Sequence, residues 1–238
     1  MQFILRYQWK RLAYLTAFLI VLNISVIYFF SIEVSRIIRW FSLLLLILFL
    51  FHHRGHSEMP VFFILLLLLI RDGCIIQYEV PFFKTLSFSL TCIAYGWMIH
   101  LIRRKLKLSI ANPVLLVFAI VMIGLNAFNL YYLSDAIWNG LDNNLQFGLF
   151  FMQGVMLILL GLAAFVYNDR YTGASPLLFL YFSFSLILCD LAGLAAYFFK
   201  WEIAYFPERI FYILSIALLV NYAIGIQKSE RESVFFAT

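Results

Sequence analysis

Three ionisable residues stand inside long apolar runs of this 238-residue chain: Arg71, Asp72 and Asp190. A charged side chain at mid-bilayer costs about 2.5–3.5 kcal/mol on insertion scales, so it turns toward the protein interior and takes a partner. Two carboxylates in one dry pocket suit acid–base hydrolysis. One keeps its proton and serves as the acid, while the other stays ionised and activates water. Arg71, next in sequence to Asp72, favours the ionised form there, which suits a base. A plainer reading stands beside this one. In it Asp72 pairs with Arg71, and Asp190 hydrogen-bonds Ser183 or Asn221 within the bundle.

Other reactive residues carry less. His52-His53-Arg54-Gly55-His56 brings three imidazoles together with only Glu58 nearby and no cysteine, which reads as a solvated turn. The three cysteines, Cys74, Cys92 and Cys189, are odd in number and lack metal-ligand spacing, so they read as small buried hydrophobes. No metal and no cofactor is expected, since the signatures of a phosphate loop, a nucleophile elbow, a zinc helix and a redox pair do not occur. Asn23, Asn126, Asn129, Gln153 and Asn221 lie within apolar runs and read as hydrogen-bond partners between helices.

The elements that must position these residues follow from composition. The chain is 65% hydrophobic and 12% charged, against roughly 45–50% and about 25% in soluble domains. A soluble core cannot hide that much apolar surface, whereas lipid can face it. The reading is an all-α polytopic membrane helix bundle, one integral membrane domain of eight transmembrane helices. The expected spans are Leu12–Ser31, Val34–Phe51, Met59–Tyr78, Phe82–Ile102, Asn112–Leu133, Leu145–Tyr167, Ser175–Phe199 and Pro207–Ile226. Arg36 and Arg39, in the first turns of the second, are expected to snorkel to the interface. Pro60, Pro81, Pro113, Pro176 and Pro207 each open a span, where a missing N–H costs nothing, and Asn112 and Ser175 stand where N-caps belong. Trp9, Trp40, Trp97, Trp138 and Trp201 fall near span ends, as an interfacial belt would.

Eight spans put both termini on one side. That side carries eleven of the Lys and Arg residues and the other carries six, so both termini are expected in the cytoplasm. The net charge of +5 is therefore an orientation signal, and no nucleic-acid partner is expected. The first run is too long for a cleaved signal and lacks a small-residue cleavage site. This pattern suits a bacterial inner membrane.

Asp72 and Asp190 fall in the third helix of each four-helix half, and both lie roughly 20 Å from the inner face at 1.5 Å per residue. Leu-Ile-Arg-Asp72 is echoed by Ile-Leu-Cys-Asp190, and Phe82-Phe83-Lys84 by Phe198-Phe199-Lys200, a pattern that fits a parallel 4+4 repeat.

Three stretches carry a family resemblance: Leu65 to Asp72 followed by Pro81-Phe-Phe and Ser87 to Leu90; Val155 to Ala164 followed by Ser183 to Asp190 and Ala196-Tyr-Phe198; and Ala217 to Ile224. In this order they resemble the YhhN-like membrane proteins, whose characterised members are lysoplasmalogenases. Arg71 stands where that family has glycine, Cys189 where it has serine, and Asn221 where it usually has glutamine. The resemblance implies hydrolysis of the vinyl-ether bond of a lysophospholipid, with Asp72 and Asp190 catalytic and Arg71 and Asn221 against the substrate. Local chemistry alone makes Arg71 a phosphate ligand. Two other readings are carried forward: a non-enzymatic lipid or small-ligand sensor on the same fold, and a proton-coupled transporter with a buried carboxylate relay.

Overall fold

The computed structural model describes residues 2–53, 59–106 and 140–235, together with Val117, Ile120, Gly124, Tyr131 and Trp138, each placed singly in helical conformation. Among the described residues every regular element is helical. We number the helices α1 (Gln2–Phe29), α2 (Ile32–His52), α3 (Met59–Ile76), α4 (Pro81–Ile102), α5 (Asn144–Arg170), α6 (Ala174–Tyr197) and α7 (Tyr205–Phe235). Short 3-10 turns follow α4 at Arg103–Lys105 and precede α7 at Glu202–Ala204. All seven are long and apolar enough to cross a membrane. The shortest, α3 with 18 residues, measures about 27 Å, close to the hydrocarbon thickness. The chain is a multi-pass integral membrane protein. The fifth expected span, Asn112–Leu133, falls outside the continuously described residues.

α4 and α5 run parallel. Near their starts the Gln146 side-chain amide donates to the Pro81 carbonyl and to Thr85 Oγ1, both at 3.1 Å. At their far ends Lys105 Nζ donates to the Tyr167 hydroxyl at 3.2 Å.

α7 is the central helix, packing on α1, α2, α3 and α6. It buries 61% of its most apolar stretch, against 17% for α5, which packs on α4 and α6. The core joins Ile64, Leu65 and Leu68 of α3, Tyr95 and Met98 of α4, Phe182 and Leu186 of α6, and Ile216 and Leu219 of α7. Interiors of this kind hold by close packing, since lipid offers no hydrophobic drive between helices.

Helix starts follow the sequence signals in part. Pro81 opens α4 after an extended Val80. Asn143 caps α5, its side chain accepting from the Gln146 amide at 2.9 Å. Gln146 answers by accepting from the Asp142 amide at 2.9 Å, so one residue both closes the cap and ties α5 to α4. Ser175 is not the cap of α6. That position is Gly173, at φ 137°, a left-handed conformation that glycine adopts without strain, and Ser175 lies in the first turn. Asn112 lies outside the described residues. Trp40 is no interfacial anchor either: it sits in the body of α2 and donates from Nε1 to the Leu69 carbonyl of α3 at 3.1 Å.

The larger correction concerns Arg36 and Arg39. Neither snorkels; they are 4% and 3% exposed and turn into the bundle. Arg71, Lys84 and Arg209 are buried as well. Of the six basic residues on the expected outer side, Lys200 alone remains a loop cation, which sharpens the charge asymmetry between the two faces.

At the end of the bundle where α3 passes to α4, Arg36 pairs with Glu79 at 2.7 Å and Lys84 with Asp142 at 2.8 Å. The hydrogen bond from Lys84 holds the Asp142 carboxyl below its ordinary range. A depressed carboxyl pKa contributes stability that is full above the unfolded value, about 3.9, and is lost as pH falls through the lower folded value. The thermal midpoint in detergent should therefore fall as pH drops below about 4, and Asp142→Asn should flatten that fall. An unchanged slope in the variant would show that the pair contributes nothing.

Candidate intramembrane acid site

Asp72 lies at the centre of a buried ion network built from three helices. Its Oδ1 accepts from Arg39 Nη2 of α2 at 3.0 Å, and from Arg71 Nη2 and Nε at 2.8 and 3.0 Å. Its Oδ2 accepts from the Tyr212 hydroxyl of α7 at 2.5 Å. Arg39 also donates from Nη1 to Glu208 Oε1 at 2.8 Å, and Glu208 Oε2 accepts from Arg209 Nη1 at 2.5 Å. Arg209, fully buried, reaches Ser35 at 3.2 Å. The guanidinium carbons of Arg39 and Arg71 lie 5.0 and 5.4 Å from the centre of the Tyr212 ring, a cation–π arrangement that desolvation strengthens. Charges this deep persist because each is paired several times over.

Asp190 has a different setting. Its Oδ2 accepts from the Tyr95 hydroxyl of α4 at 2.5 Å and from the Gln153 amide of α5 at 3.1 Å. Among the described residues no salt bridge reaches it. It lines a cavity of about 220 Å³ between α4, α5 and α6. Leu157, Ile158, Leu162 and Phe165 of α5 form an apolar wall, and Arg71, Arg39 and Glu208 lie at its polar end. Asp190 keeps partial exposure there, whereas the Asp72 side chain has none and does not line the cavity.

The sequence-expected residues are thus divided. Asp190 and Arg71 line one cavity, Asp72 is joined to it through Arg71, and Asn221 does not line it. Asn221 is buried farther along α7, its side-chain nitrogen without a partner among the described residues. Asp72 pairs with Arg71 as its adjacency suggested. Asp190, however, does not use Ser183, which turns back to the Phe179 carbonyl of its own helix. Of the polar residues expected to join helices, Asn23 bonds Ser42 at 2.8 Å and Gln153 bonds Asp190. Asn126 and Asn129 lie outside the described residues. No cluster able to hold a metal occurs among the described residues.

The two aspartates are related in an unexpected way. Asp72 of α3 takes its tyrosine from α7, and Asp190 of α6 takes its tyrosine from α4. Each aspartate is therefore bonded from the helix that follows the other one. The two sites differ in the rest of their surroundings, guanidinium groups around Asp72 and the cavity at Asp190.

Sequence reading missed Tyr95, Tyr212, Arg39 and Glu208. The signal that could have found Glu208 and Arg39 was charge just inside apolar runs, at Pro207-Glu208-Arg209 and Arg36 to Arg39; the tyrosines had none. No protein-family model, curated protein or solved structure matches the chain.

Proposed function

We propose that this protein is a YhhN-like intramembrane hydrolase that cleaves the vinyl-ether bond of a lysophospholipid, with Asp190 as its acid. The observation that carries the reading is Asp190 at the wall of an apolar cavity. Tyr95 and Gln153 both bond its Oδ2, and no guanidinium fixes it in the ionised state. A carboxylic acid held this way can give its proton to the double-bond carbon remote from the ether oxygen, leaving an oxocarbenium-like ion. Water then adds to the carbon bearing oxygen and loses a proton to the Asp190 carboxylate. The resulting hemiacetal collapses to a fatty aldehyde and a glycerophospho-headgroup, and the acid is regenerated. Arg71, at the polar end of the cavity, suits the lipid phosphate.

Asp72 has another role in this mechanism than its sequence suggested. Two arginines and a tyrosine occupy it, so it positions Arg39 and Arg71 and leaves the acid and base steps to Asp190. Asn221 has no place against the substrate, being outside the cavity.

The test is aldehyde release from a lysoplasmenyl-ethanolamine by the purified protein in detergent. Release above a heat-denatured control supports the hydrolase. A folded protein that releases none would exclude this reaction for this substrate. Arg71 and Cys189, which replace the family's glycine and serine beside the aspartates, favour a second reading, in which the same cavity senses a lipid without cleaving it.

A further inference from the structure

The ion network beside the cavity holds more positive than negative charge. Arg39, Arg71 and Arg209 stay protonated throughout the biological pH range, and Asp72 and Glu208 are the carboxylates that bind them. The Nε atoms of Arg39 and Arg209 are buried without an acceptor among the described residues. Arg36 and Lys84 have their own partners in Glu79 and Asp142. Residues 108–134 contain no Asp, Glu, Lys or Arg, so that part of the chain brings no charge to the cluster.

A further carboxyl, Asp190, lines the cavity together with Arg39 and Arg71. The titratable and polar groups that face it there are Tyr95 of α4, Gln153 of α5, Arg71 of α3 and Tyr78 just beyond that helix, Arg39 of α2, Tyr197 of α6 and Glu208 of α7, with Cys189 adjacent on α6. With Asp190 ionised the cluster is neutral. With Asp190 protonated it carries one positive charge among side chains that are almost wholly buried.

We propose that the cavity takes up the phosphate of a single-chain lipid together with one proton. The phosphate, beside Arg71, supplies the negative charge that the Asp190 carboxylate otherwise adds to the cluster, and the proton goes to Asp190. This rests on the lipid-site reading above and adds how the acid is loaded: the substrate's own charge supplies the reason for Asp190 to hold a proton. A neutral ether lipid of the same chain length leaves Asp190 ionised and is neither protonated nor cleaved.

The experiment is isothermal titration calorimetry of the full-length protein in an uncharged maltoside detergent. The ligand is a saturated 1-O-hexadecyl-lysophosphoglycerol, which has no vinyl ether to cleave and no group that titrates near neutrality. Comparing buffers of different ionisation enthalpy at one pH gives the protons exchanged. The expected result is one proton taken up per lipid bound. Affinity should weaken about tenfold per pH unit over the range where free Asp190 is ionised, as one linked proton requires. 1-O-hexadecylglycerol and dimethyl phosphate, a diester that does not titrate near neutrality, at the same concentration, should take up none. Asp190→Asn should bind the phospholipid with no proton uptake and no pH dependence.

Failure to bind, binding without uptake, equal uptake with either control, or uptake persisting in Asp190→Asn would each overturn the proposal. The wild-type comparison of the three ligands decides the matter even if that variant does not fold. Because the ligand cannot be hydrolysed, uptake without aldehyde release from the plasmenyl lipid would keep the coupling and reject the hydrolase. Aldehyde release without uptake would do the reverse.

Discussion

Asp72→Asn is expected to destabilise the protein by about 3–5 kcal/mol, the usual cost of removing one partner from a buried ion pair. The variant keeps the volume and loses the charge. Arg71 then loses the carboxylate it pairs with, and Arg39 is left with Glu208, which is already shared with Arg209. The Tyr212 hydroxyl can turn to accept the amide N–H, but the carbonyl left facing Arg39 and Arg71 carries no charge to balance them. A fall in the thermal midpoint and in the yield of monodisperse protein from detergent should show this directly. Asp72→Asn that extracts and melts like the wild type, yet is inactive, would return Asp72 to the chemistry and restore a mechanism with two aspartates.

The second large effect is kinetic. Asp190→Asn should lower aldehyde release by about 10²–10⁴-fold, the range a positioned general acid contributes, while the fold survives. The contrast follows from the partners. Asp190 accepts from a tyrosine and an amide on one oxygen, and an asparagine carbonyl can accept in the same place. No arginine loses its only counter-ion. Equal thermal losses in the two variants would mean that Asp190 is as structural as Asp72, and the acid role would fall.

The difference between the two aspartates was hidden in the sequence. Both follow an apolar run, the expected spans put both at similar depth, and short motifs around them match. An expected depth can be read from sequence because helix rise is fixed and span boundaries follow hydropathy. Which of them faces a cavity was not, because every side of these helices is apolar and the pattern marks no inward face. The same blindness sent Arg36 and Arg39 to the interface, although their helix turns them onto Glu79, Asp72 and Glu208. Nor did the pattern single out Gln153, one of five similar polar residues, as the one at Asp190.

Composition alone determined that this chain is a bundle of membrane-crossing helices, since a hydrophobic fraction of 65% acts locally on every segment and needs no knowledge of neighbours. Adjacency likewise determined that Arg71 would meet Asp72. The tertiary structure decided everything that depends on how helices turn about their axes. It brought Tyr212 to Asp72 and Tyr95 to Asp190, tied Arg39 to Glu208, and left Asp190 beside an apolar cavity. Those choices come from close packing between side chains far apart in the chain, and in a helix apolar all round only the packing records which way each residue points.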